Sequence, residues 1–133
     1  MKLFIIFVMS NETTYRRIFF YKRYYLDFFE SQPKKVRDKI IWTIDLVATI
    51  IRVPEQYLKH IEGTDQLYEI RVQHGGNSFR IFCFFDKEKL VILMNGFQKK
   101  SEKIPKKEIE KAIKIKSEYE AEKKEQGNKS GVT

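Results

Sequence analysis

Cysteine occurs once in these 133 residues, at Cys83, so no internal disulfide can staple the chain. Cys83 sits in an apolar run and is expected to serve as a small core residue in a reducing compartment. No apolar run reaches the ~18 residues that a membrane-spanning helix needs, so the expectation is a cytoplasmic protein without a membrane partner. The chain also has no GxGxxG, Walker loop, HExxH, paired cysteines or Ser/His/Asp spacing, which leaves nucleotide cofactors and metals without support. Acidic residues are the minority, 18 against 26 Lys+Arg, giving a formal net charge of +8. Such a balance favours a polyanionic partner such as nucleic acid, or serves solubility alone. No internal repeat is present, and 42% apolar with 14% aromatic residues is the composition of one globular domain.

What is present centres on Leu67 to Lys100, LYEIRVQHGGNSFRIFCFFDKEKLVILMNGFQKK. Three runs rich in Val, Ile, Phe and Tyr are separated by Gly75-Gly76-Asn77 and by Asp86 to Lys89, the pattern of a three-stranded antiparallel meander. If Gly75-Gly76 form a two-residue loop, His74 pairs with Asn77 and Arg71 falls directly opposite Arg80. Like charges so placed destabilise a sheet by up to ~1 kcal/mol, and an anion would relieve them. Closing the second hairpin over Asp86 to Lys89 puts Asn95 opposite Arg80. Phe97 and Lys99 then join the arginine face, with Phe82, Phe84, Val91 and Leu93 at its other end. Tyr68, Ile70, Val72, Phe79, Ile81, Cys83, Phe85, Leu90, Ile92 and Met94 form the opposite, uncharged core face.

Ahead of the meander, Met1 to Met9 (MKLFIIFVM) is short for a secretory signal and lacks a cleavage site. Residues 1–14 are expected to be an extension outside the folded domain, with a weak signal, an added strand or a membrane-touching tail as alternatives. The domain is expected over 15–122. Tyr15 to Lys22 reads as a first strand, and Tyr24 to Ser31 as a short amphipathic helix. A longer helix runs from Pro33 to about Ile51, with Val36, Ile40, Ile44 and Val47 on its apolar stripe and Trp42 expected in the core. Pro54 to Leu67 reads as a loop with a brief extended piece carrying Lys59 and His60. After the sheet, a lysine cluster around Pro105 opens a helix striped by Ile109, Ala112 and Ile113, which must cover Phe82 and its neighbours unless a partner does. Residues 123–133 are expected to be a flexible polar tail.

Metal-free chemistry on phosphate is compatible with this inventory. RNA can be cleaved through its own 2′-hydroxyl if the phosphate is held in line and its developing charge stabilised, and two arginines with a lysine on a rigid sheet can do both. Arginine suits the task because its planar fork binds two phosphate oxygens at once. Phe82 or Phe97 could stack on a base. Glu69, which shares the arginine face, and His60, nearby in sequence, are the candidates for a proton acceptor, and neither is assigned that role by a motif. A phosphate-binding domain and a nuclease both remain open on these features.

The order strand, helix hairpin, meander, basic C-terminal helix, together with LYEIRV, FRIFCFFD and NGFQKKSEKIPKKEIEKA, resembles the RelE/HigB-type toxins of bacterial toxin–antitoxin pairs. The similarity is to the phage-derived HigB branch in particular, where G-F-x-K-K-x-x-K-x-P follows the last strand, and it covers about Tyr15 to Glu122. It implies a RelE-like, microbial-RNase-like α+β fold. It further implies a ribosome-dependent mRNA endonuclease that inhibits translation and is silenced by a HigA-like helix-turn-helix antitoxin in a toxin–antitoxin hetero-oligomer. The catalytic residues so implied are Arg71, Arg80 and Lys99 or Lys100. Asn95, Phe97, Lys103, Lys106, Lys59 and His60 are the expected RNA-binding set. The chain departs from the pattern in carrying Glu69 where some relatives have lysine, and in lacking a clear counterpart of the tyrosine or histidine acid or base. The alternative is a ParE-like, non-nuclease toxin or a degenerate member that acts only by binding its antitoxin, gyrase or nucleic acid.

Overall fold

A computed structural model describes residues 3–5 and 14–131, of which 3–5 and 128–131 are described as backbone alone. The elements run β1 (Leu3–Ile5), β2 (Arg17–Tyr21), α1 (Tyr24–Glu30), α2 (Lys34–Thr49), β3 (Leu58–His60), β4 (Tyr68–His74), β5 (Asn77–Lys87), β6 (Leu90–Lys99) and α3 (Lys106–Gly131). Helices α1 and α2 lie on one face of the sheet and α3 on the other, so apolar side chains of alternating strand positions are covered on both sides. The extension expected at 1–14 falls largely outside the described residues; within it, Leu3–Ile5 pairs antiparallel with β2.

The sheet is wider than the meander expected from sequence. Its six strands are ordered β1-β2-β6-β5-β4-β3, and β2 joins β6 in parallel, which makes the sheet mixed. The helix hairpin supplies the crossover that a parallel pairing requires. The stretch expected as mostly loop contributes β3, whose Lys59 pairs with Glu69 of β4.

The β4–β5 hairpin has the expected register: His74 opposite Asn77 and Arg71 opposite Arg80. Gly75 and Gly76 both take positive φ, 55° and 81°, the backbone that two-residue hairpin turns demand and that side chains with a Cβ resist. The β5–β6 register differs from expectation. Arg80 stands opposite Phe97, not Asn95, because the turn closes over Glu88 and Lys89 and two irregularities interrupt the ladder. Between Phe85/Val91 and Lys87/Leu90, Asp86 is one residue in excess on β5. Between Ile81/Gly96 and Cys83/Leu93, Met94 and Asn95 together oppose Phe82. The second bulge inverts the alternation of β6. Val91 and Leu93, expected beside the arginines, pack under α1 and α2, while Ile92 and Met94 join Phe82 and Phe84 under α3.

Helix α2 buries Val36, Ile40, Thr43, Ile44, Val47 and Ala48. Trp42 does not join them and is 47% exposed, because it lies two residues from both Ile40 and Ile44, on the opposite side of the helix. Its ring instead carries the Lys39 ammonium at 4.1 Å and meets Tyr57 edge-on. Arg16 closes the end of α2 by donating to the carbonyls of Val47, Ile50 and Ile51, where a cation also meets the negative end of the helix.

Helix α3 buries Ala112, Ile115 and Tyr119 against the second face. At its far end the bulged Asp86 accepts hydrogen bonds from Tyr119 Oη and Lys123 Nζ, each at 2.6 Å. Burial would raise the Asp86 carboxyl, but the hydrogen bonds from Lys123 and Tyr119 outweigh it and hold the carboxyl below its ordinary value. A carboxyl depressed in the folded state contributes stability above its unfolded value and loses it as pH falls through the folded one. Asp86→Asn should therefore cost about 1–3 kcal/mol at pH 7, and the gap to wild type should close as pH drops below ~4, read by urea unfolding across pH. Gly96 offers a second check on packing. A Cβ there would overlap the Phe28 ring, so Gly96→Ala should lower stability by about 1–3 kcal/mol, measured by thermal or urea unfolding.

Candidate phosphate-binding cleft

Strands β3, β4 and β5, the end of β6 and the segment leading into α3 enclose an open cleft of about 500 Å³. Strand alternation places Glu69, Arg71 and Arg80 on its floor, and Lys59, Lys99 and Lys103 stand around it with Glu62 and Glu102. Ile104 and Ile109 form an apolar wall. Arg71, Val72, Gln73 and Arg80 also line a smaller hollow of about 280 Å³ with Gln56.

The arginine pair is managed by neighbouring acceptors. Arg80 is 5% exposed and donates from Nε to Glu69 Oε1 at 3.0 Å and from Nη1 to the Phe79 carbonyl at 3.1 Å. Glu69 is likewise 5% exposed, so this is a buried ion pair. Arg71 is half-buried and donates from Nη1 to the Glu55 carbonyl at 3.3 Å. Burial pulls the Arg80 guanidinium below its ordinary pKa and the Arg71 charge acts in the same direction, while Glu69 opposes both. Glu69 stands diagonally from Arg80, since its direct partner is Phe82, and long side chains bridge that diagonal readily.

The other residues singled out by sequence divide into cleft and periphery. Lys99, Lys103, Lys59 and His60 line the cleft, whereas Lys100 and Lys106 are exposed and do not line it. The His60 ring packs edge-on against Tyr68 at 5.2 Å between centroids. Phe97 is partly buried and meets Phe82 edge-on at 5.2 Å. Phe82 itself is 0% exposed, which removes it as a platform for a base. Asn95 is 1% exposed and donates from Nδ2 to the backbone carbonyl and the side chain of Glu108, so its visible work is to hold the start of α3. Glu102 and Ile104, not among the expected site residues, and Ile109, expected only on the stripe of the C-terminal helix, enter the cleft because α3 is pinned there; that depends on tertiary docking, for which no local pattern exists. Among the described residues, no group of three or more His, Cys, Asp or Glu is arranged to hold a metal ion.

The arrangement can bind an anion with at least two planar guanidinium donors and several ammonium groups, the chemistry of a phosphodiester. The model of the family described as phage derived protein Gp49-like (DUF891) matches residues 27–117, more than half of the chain and all of this floor. No curated protein matches the chain. The buried pair carries its own prediction. Glu69→Ala leaves an uncompensated buried guanidinium and should destabilise the fold by about 3–5 kcal/mol in urea unfolding. A loss below ~1 kcal/mol would show that the pair is solvated.

Proposed function

We propose, from the premise that the chain belongs to the Gp49-like phage-derived protein family, a RelE/HigB-type toxin family, that it is the toxin of a type II toxin–antitoxin pair and acts as a ribosome-dependent mRNA endonuclease. The observation that carries this reading is the cleft in which Arg71 and Arg80 lie side by side with Lys59, Lys99 and Lys103 around them. In this mechanism the substrate supplies its own nucleophile. The 2′-hydroxyl attacks the adjacent phosphorus, the O2′–P bond forms, the P–O5′ bond breaks, and the proton lost by the 2′-oxygen is balanced by one gained at the 5′-oxygen. Arg80 stabilises the charge that builds on the pentavalent phosphorus, and Arg71 and Lys99 hold the phosphate in line. Lysines outside the cleft, Lys100 and Lys106 among them, hold structured RNA through its phosphates. The partners are the ribosome with its mRNA and a HigA-like helix-turn-helix antitoxin that forms a hetero-oligomer with the toxin in the cytoplasm. No helix of the described residues is long and apolar enough to cross a membrane.

A second reading, inhibition by binding without cleavage, is favoured by one feature: the nearest imidazole, His60, is packed on Tyr68, and the buried carboxylate Glu69 is committed to Arg80. Induced expression in bacteria separates the two. Wild type should arrest growth and leave new 5′ ends in translated transcripts. Arg71→Ala and Arg80→Lys, the latter keeping charge but losing the bidentate fork, should each lower cleavage by about 100-fold or more. Growth arrest with intact transcripts selects the binding reading, and unimpaired growth in all strains overturns both.

A further inference from the structure

The most unusual feature of the cleft is a carboxylate on its basic floor, where electrostatics alone would exclude it. Glu69 is 5% exposed, it is flanked by Lys59 across the β3–β4 ladder, and among the described residues its Oε1 accepts only from the Nε edge of Arg80. A guanidinium has five N–H hydrogens in a rigid planar fork. Glu69 takes the one on Nε and the Phe79 carbonyl takes one on Nη1. The second hydrogen on Nη1 and both on Nη2 meet no acceptor among the described residues, and two acceptors at different corners of the plane oppose rotation of the group.

We infer that Glu69 is a positioning residue, which orients the Arg80 guanidinium so that its unoccupied Nη edge receives the phosphate, and that it does so by the placement of its acceptor oxygen rather than by its charge. The inference rests on the phosphate-cleaving reading of the same cleft. It explains why the carboxylate is tolerated there. A mobile arginine would have to be ordered by each incoming phosphate, at a cost in side-chain entropy, whereas an arginine already fixed has its donors in place before the ligand arrives. The carboxylate also offsets the repulsion between Arg71 and Arg80 in the empty cleft, so the pair is held together without a bound anion.

Two conservative variants separate placement from charge. Glu69→Gln keeps an acceptor at the same reach and removes the charge, and Glu69→Asp keeps the charge and withdraws the oxygen by one methylene. Both are compared with wild type as folded full-length protein, by calorimetric titration with inorganic phosphate and with a 2′-O-methyl RNA trinucleotide that cannot be cleaved, and by ribosome-dependent cleavage of an mRNA. Glu69→Gln is expected to bind both probes at least as tightly as wild type and to retain cleavage within about threefold. Glu69→Asp is expected to bind about tenfold more weakly, the equivalent of one charge-assisted hydrogen bond, with a matching fall in kcat. Loss in Glu69→Gln with native affinity in Glu69→Asp would assign the effect to charge, and equal loss in both would show that placement without the charge does not suffice; either overturns the inference. So does a Glu69→Gln protein that binds normally and has lost cleavage by a hundredfold, the mark of a proton acceptor. Absence of cleavage by wild type would instead overturn the nuclease reading, and the two titrations would still decide the role of Glu69.

Discussion

Two guanidinium groups on adjacent strands repel, and much of the molecule around Arg71 and Arg80 answers that repulsion. The pairing is forced by the Gly75-Gly76 turn, whose two positive φ angles allow only a tight loop, and the period-2 alternation then places both side chains on one face. One arginine is buried and neutralised diagonally by Glu69; the other reaches sideways to the Glu55 carbonyl. β3 adds Lys59 opposite Glu69, so the carboxylate is flanked by cations on both sides along the sheet. The resulting floor carries more positive than negative charge and borders both the cleft and the smaller hollow beside Gln56.

Legibility in the sequence followed the range of the interaction that decided each feature. The hairpin register is a local matter, set by two glycines, and counting from them places Arg71 opposite Arg80. The diagonal from Glu69 to Arg80 was contained in that same count, since Glu69 lies two residues before Arg71, yet reading like charges as a demand for an external anion hid the internal one. The β5–β6 register could not be counted, because nothing in DKEKL distinguishes a two-residue turn with a bulged Asp86 from a four-residue loop. Trp42, expected in the core for its hydrophobicity, lies outside it for a different reason: the stripe of Ile40, Ile44 and Val47 leaves it on the outer side of α2. The parallel pairing of β2 with β6 lay beyond local pattern, since it joins segments separated by the helix hairpin and the whole meander.

At each interruption of the β5–β6 ladder one polar side chain reaches α3: Asp86 meets Tyr119 and Lys123, and Asn95 meets Glu108. Without these hydrogen bonds α3 would be held by Ala112, Ile115 and Tyr119 alone, a hydrophobic contact that permits sliding. Hydrogen bonds at both ends forbid it. The separation between Glu108 and Lys123 is fifteen residues, or ~22 Å of helix, so the two anchors fix rotation as well as position. Because Ile109 is one residue from the Asn95 anchor, and Ile104 and Lys103 lead directly into it, the wall of the cleft is registered against its arginine floor by the Asn95–Glu108 hydrogen bonds. The Asn95–Glu108 contact thus fixes one side of the candidate cleft: without it the start of α3, and with it the wall of Ile104 and Ile109, would rest on apolar contact alone.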